Sequence, residues 1–150
     1  MTRVDFYLLP TSDARERLVW VCRLAEKAYR GGHRIHIHSR DGAEAQVLDD
    51  LLWSFRASSF VPHLRLGAAE PDEFTPVTLG QGDQRPEDCD VLINLAPAIP
   101  EWNGRFQRIA ELVPQGDEER HMSREHFRQY KALGYQLETH DLETAPPMNG

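Results

Sequence analysis

The feature that most limits the folds open to this chain is an alternation of two hydrophobic periods near its start. Val4 to Leu9 is a short apolar run stopped by Pro10, and Thr11-Ser12-Asp13 with Glu16 then has the form of a capping box that opens a helix. Behind it Leu18, Val21, Cys22, Ala25, Ala28 and Tyr29 recur at steps of three and four until Gly31-Gly32. His33 to His38 alternates as a strand, and helical spacing resumes from Arg40 to Trp53 through Ala43, Val47, Leu48, Leu51 and Leu52. The order is strand, helix, strand, helix. It predicts an α/β fold with a parallel sheet, because parallel neighbours need a crossover long enough to hold a helix.

Further along, the pattern loosens between Ser54 and Asp88 around four prolines, and only Phe74 to Leu79 reads as a strand. Cys89 to Leu95 is the clearest buried strand. Trp102, Phe106, Ile109 and Val113 then have the spacing of one helix face before Pro114. A last helix is predicted from its acidic first turn (Asp117, Glu118, Glu119), from Lys131 in its last turn and from Gly134 placed as a cap. Tyr135-Gln136-Leu137 adds a short strand. The domain is therefore expected to occupy residues 1–137, with 138–150 as a flexible tail that includes Pro146-Pro147.

At 150 residues a second hydrophobic core would leave each half near the lower limit for independent stability, so one domain is expected. No apolar run approaches the roughly 20 residues that span a bilayer, and the N-terminus lacks the cationic and apolar regions of a signal peptide. Both point to a cytoplasmic protein. Cys22 falls inside a helical pattern and Cys89 at the head of a strand, which predicts two buried thiols rather than a disulfide or a zinc cluster. The formal net charge of −7 argues against the whole surface serving as a nucleic-acid footprint, so any basic site must be local.

An α/β chain invites a nucleotide at its first strand-to-helix turn. Here that turn reads Leu9-Pro10-Thr11-Ser12-Asp13, without a glycine and with an acid at the anion position, and neither GxGxxG nor GxxxxGK[ST] occurs anywhere. His36 and His38 share a strand face and could hold a metal with Asp41, but partly exposed histidines at a sheet rim need no ion. No nucleophile elbow is present, and catalytic residues, cofactors and metals are not expected. An enzyme using the carboxyl ends of the strands near Asn94 and Asp41, dependent on a nucleotide or a metal, stays open as the alternative.

The final helix carries more. At about 100° per residue, Arg120, Arg124, Phe127, Arg128 and Lys131 fall within an arc of roughly 100°. Two plain readings compete with function: a solvated charged face, or a Phe127 tucked under a neighbouring loop. Single-stranded DNA could also lay phosphates on the cations and a base on the ring. A peptide ending in acidic residues and an aromatic matches both halves of the stripe, since guanidinium groups fork onto carboxylates and the ring offers an apolar anchor. A second candidate is the aromatic-rich stretch from Leu51 to His63 with Trp53, Phe55 and Phe60, where closure of the core is preferred over a docking patch.

Several short motifs, in this order and spacing, carry a family resemblance. They are Asp5-Phe6-Tyr7-Leu8-Leu9, Leu48-Asp49-Asp50-Leu51-Leu52-Trp53, Ser59-Phe60-Val61-Pro62-His63, Asp90-Val91-Leu92-Ile93-Asn94-Leu95 and the run from Arg124 to Tyr135. The chain resembles the chi subunit of bacterial DNA polymerase III, an accessory protein of the clamp-loader assembly. The resemblance implies a Rossmann-like three-layer sandwich with a mainly parallel central sheet and no nucleotide-binding loop. It also implies a non-catalytic replication subunit that binds the acidic C-terminal tail of single-stranded DNA-binding protein, which ends in a phenylalanine. The tail pocket maps to Val113, Arg124, Phe127 and Arg128, with Lys131 added from the same stripe. Phe127 stands where a Tyr is usual and Arg128 where a Lys is usual; ring and charge are kept. A hydrophobic surface that includes Trp53 and Phe60 would bind the small psi subunit and so bridge the tail to the clamp loader.

Overall fold

The Asp13 carboxylate accepts hydrogen bonds from the backbone N–H of Arg15 at 2.7 Å and of Glu16 at 3.1 Å, and so starts the first helix where its sequence predicts. In the computed structural model, which describes residues 2–56, 60–68 and 74–142, β1 (Arg3–Leu8) thereby hands over to α1 (Ala14–Arg30). Asp41 repeats the device after β2 (Ile35–Ser39), accepting from Glu44 N–H at 2.8 Å to open α2 (Gly42–Ser54). Then come β3 (His63–Arg65), β4 (Val77–Gln81), β5 (Val91–Asn94), a 3₁₀ turn at Glu101–Arg105, β6 (Arg108–Val113), α3 (Asp117–Ala132) and β7 (Gln136–Asp141). Gly134, at φ 82°, lets the chain leave α3 in a left-handed conformation that a side chain would resist.

The seven strands form one sheet in the order β3-β4-β2-β5-β6-β1-β7, and every pairing is parallel. Side chains alternate along each strand, so the sheet has two distinct faces. One is packed by α1 and α2, with Ile35, Ile37, Val77, Ile93 and Leu112 meeting Val21, Cys22, Leu48 and Leu52. The other is packed by α3 and the 3₁₀ turn, with Val4, Phe6, Leu92 and Ile109 meeting Phe106 and Tyr130. This is the expected α/β three-layer sandwich, with a parallel sheet in the middle. No helix among the described residues is long and apolar enough to cross a membrane.

Five expectations change. The helix read through Trp102, Phe106, Ile109 and Val113 is a 3₁₀ turn followed by β6. Ile109 and Val113, four apart, fit a helix turn and equally two strand repeats, and β6 lies between β5 and β1 with both faces buried. The single strand expected over Phe74 to Leu79 begins at Val77, and β3 adds a second strand that the loose pattern hid. The short strand expected over 135–137 runs on to Asp141 as β7, so residues 138–141 belong to the sheet; 143–150 lie outside the described residues. His36 and His38 are not at a rim: they are 0% and 5% exposed, because β2 is an inner strand and Trp102 packs its edge against both rings at 5.6 and 5.2 Å. Of the thiols, Cys22 is buried as expected, while Cys89 precedes β5 and is half-buried.

Candidate functional site

α3 is held to the sheet by a buried polar cluster centred on Glu111 of β6. Tyr130 O–H donates to Glu111 Oε2 at 2.7 Å, and Asn94 Nδ2 donates to the same oxygen at 2.9 Å. His126 Nδ1 lies 3.0 Å from Glu111 Oε1, and His126 Nε2 lies 2.7 Å from the Pro97 carbonyl oxygen. Burial alone would lower the pKa of His126, but the Glu111 carboxylate and the Pro97 carbonyl outweigh it and hold the imidazole above its ordinary range. Tyr130 is pushed upward by burial and by the Glu111 charge, so it stays a phenol and a donor. These groups fix the angle of α3 and hence the side chains on its outer flank.

That flank forms a cleft of about 390 Å³ between α3 and the carboxyl ends of β1 and β7. Its floor is Phe6, Leu8 and Thr139, and its α3 wall is Ser123, Arg124, Phe127 and Arg128. Phe127 is half-buried, with its ring 5.5 Å from that of Phe6 and tilted by 51°. Arg124 and Arg128 are exposed at the mouth; Arg128 pairs with Glu125, whereas Arg124 has no ion pair among the described residues. An apolar slot with two guanidinium groups on its rim suits a ligand with a ring and adjacent carboxylates.

Of the five residues expected in a tail pocket, the structure therefore groups Arg124, Phe127 and Arg128. Val113 is 4% exposed beneath α3 and borders a neighbouring cavity, and Lys131 is exposed in the last turn of α3 without lining the cleft. Sequence reasoning missed the floor. Phe6 and Leu8 share a face of β1 by simple alternation, but their role depends on β7 lying alongside, and Thr139 falls in a stretch expected to be tail.

Trp53 and Phe60 do not close the core. They are 53% and 62% exposed, their rings 5.4 Å apart, while Val61 beside them is fully buried. Trp53 also packs on His63, at 4.5 Å between rings, so the pair forms a supported apolar patch at the β3 edge of the sheet.

Asp41 and Asn94, of the enzyme alternative, and His36, of the metal candidate, each make structural contacts, while His36 Nε2 and His38 Nδ1 are buried without a hydrogen-bond partner among the described residues. Asp41 caps α2, His36 Nδ1 bonds Thr78 Oγ1 at 2.7 Å, and Asn94 accepts from Ala96 N–H at 3.2 Å besides bonding Glu111. Asp5, Glu138 and His140 do come together as a three-donor cluster. Asp5, however, already takes Arg3 at 3.1 Å, Arg108 at 3.0 Å and His140 at 2.9 Å, and two guanidinium groups oppose a cation there.

Comparison with known proteins decides the lineage. The family described as DNA polymerase III chi subunit, HolC, matches residues 1–138. A DNA polymerase III subunit chi of Pseudomonas aeruginosa is 44% identical over 142 residues, covering 95% of this chain and 98% of its own. The chain belongs to the DNA polymerase III chi subunit family. The subunits chi of Escherichia coli and Haemophilus influenzae are 32% and 30% identical, each aligned over more than nine-tenths of both chains. The family match thus takes in β1 and α3, which supply most of the cleft, and ends within β7, before Thr139.

Proposed function

We propose that this chi subunit holds the acidic C-terminal tail of single-stranded DNA-binding protein in the α3 cleft and links it, through psi, to the clamp loader. The observation that carries the first half is the meeting of Phe127, Arg124 and Arg128 around one apolar slot floored by Phe6 and Leu8. The terminal phenylalanine of the tail enters the slot against Phe127, its carboxylate and the preceding acids face Arg124 and Arg128, and catalysis belongs to other subunits. The second half rests on the exposed Trp53–Phe60 pair, an aromatic patch of the kind that anchors protein interfaces, and it lies on the β3 side of the sheet away from the cleft.

Calorimetry with a peptide copying the tail of the cognate single-stranded DNA-binding protein tests the site. Binding is expected to weaken with added salt and to fall about tenfold or more with Arg124→Ala, as for loss of a charge-assisted hydrogen bond. Unchanged affinity in that variant overturns the assignment. A naked oligonucleotide is the control, and tight binding to it in the absence of partner protein would instead favour direct contact with single-stranded DNA.

A further inference from the structure

On the other flank of α3 lies a second cavity, of about 310 Å³, at the carboxyl ends of β5 and β6. Open α/β sheets commonly take ligands beyond the carboxyl ends of their strands. One side of this cavity is apolar, built from Leu95, Ala96, Leu112 and Met122. The other holds Arg17 of α1 and Arg40, from the turn before α2. Arg17 is half-buried and donates from Nε to the Leu112 carbonyl at 3.1 Å, a bond that fixes its guanidinium toward the cavity wall.

Neither guanidinium has an ion-pair partner among the described residues. Glu118 and Glu119 stand exposed at the rim, whereas the other nearby acids, Glu44 and Glu111, are occupied. Glu44 accepts from the backbone N–H of Arg40 at 2.9 Å. Glu111 serves Asn94, Tyr130 and His126. Burial lowers the pKa of Arg17, and the charges of Glu44, Glu111 and Glu119 offset this only in part, while neither Arg17 nor Arg40 is ion-paired among the described residues.

We propose that Arg17 and Arg40 form a second ligand site, which binds an oxyanion carried on a compact apolar body. The two forks take the oxygens and the Leu95–Met122 side takes the body. The site needs no phosphate loop, because side chains rather than backbone amides supply the donors. α3 stands between it and the peptide cleft, and the two linings share only Ser123.

The test uses the full-length chain with phenyl phosphate and benzoate as probes, titrated by calorimetry and followed by the arginine Nε resonances in NMR. Saturable binding is expected with movement of the Arg17 Nε signal, and Arg40→Gln, an exposed position, is expected to weaken it about tenfold. Arg124→Ala, which strikes only the peptide cleft, should leave it within about twofold. A stronger response to either probe supports the site and identifies the oxyanion as phosphate or carboxylate. No saturable binding, full binding by Arg40→Gln, or loss of binding in Arg124→Ala each overturns the proposal.

Discussion

His126 places both ring nitrogens against acceptors, Nδ1 at 3.0 Å from the Glu111 carboxylate and Nε2 at 2.7 Å from the Pro97 carbonyl. Only the imidazolium can donate to both, so the fold favours the protonated ring and its pKa is raised. A group whose folded pKa lies above its unfolded value, here about 6.5, contributes stability that is full below that value. The contribution is lost as pH rises through the folded pKa. Denaturant titrations from about pH 5.5 to pH 9 should therefore show wild type losing stability relative to His126→Gln as the pH climbs. A constant difference between the two proteins across that range would contradict the clamp.

Tyr130 reads out the same cluster from another side. It is fully buried, and its hydroxyl is one of the donors that compensate the Glu111 charge. Tyr130→Phe keeps the packing and removes that donor, with an expected cost of about 1–3 kcal/mol for a buried carboxylate left short of a bond. Because His126 shares the carboxylate, the double variant Tyr130→Phe/His126→Gln should depart from additivity by about 0.5 kcal/mol or more in urea unfolding. Strict additivity would mean that the two contacts act separately.

The first half of the fold was legible because its signals are local. Asp13 caps the helix that its capping box predicts, and the two periods separate cleanly on either side of it, whereas the cap that Asp41 makes on α2 was not read from the sequence. Legibility fails where periods coincide, as at Ile109 and Val113, or where burial is decided by distant partners. His36 and His38 look like rim residues until β4 and β5 flank β2 and Trp102 closes over them. The cleft divides in the same way. Its α3 wall follows from helix geometry, whereas its floor requires β7 to pair with β1, a contact between residues more than 130 positions apart. Nothing in the spacing of Trp53 and Phe60 distinguishes an exposed patch from a core, and the exposure of both side chains became visible only in the structure.

Gly80 shows how tightly the histidine side of the sheet is filled. A Cβ there would stand 2.9 Å from His36 Cε1 and 3.2 Å from His36 Nε2, in a buried strand where the ring cannot swing away. Gly80→Ala is expected to cost about 1–3 kcal/mol through overpacking, lowering the melting temperature by several degrees. At Gly82, in the exposed turn after β4, an added Cβ would meet no atom within 4 Å, so any cost of Gly82→Ala would come from its positive φ of 60° alone. Calorimetric melting of both variants compares a steric clash with backbone strain, and an undisturbed Gly80→Ala protein would show that His36 has room to move.

The Trp53–Phe60 patch makes the sharpest separation between stability and association. Both residues are more than half exposed, and among the described residues the ring partner of Phe60 is Trp53, so Phe60→Ala should change unfolding free energy by no more than about 0.5 kcal/mol. If psi docks on this patch, the same truncation removes an interface anchor, and a loss of about 2 kcal/mol corresponds to roughly thirtyfold weaker binding. Trp53→Ala should match it in binding while costing slightly more stability, because Trp53 also packs on His63. Titration of psi into the three proteins by calorimetry, beside their urea curves, checks both quantities. Wild-type affinity for psi in Phe60→Ala would remove this patch from the psi interface and leave the α3 cleft assignment untouched, since the cleft lies across the sheet toward β7.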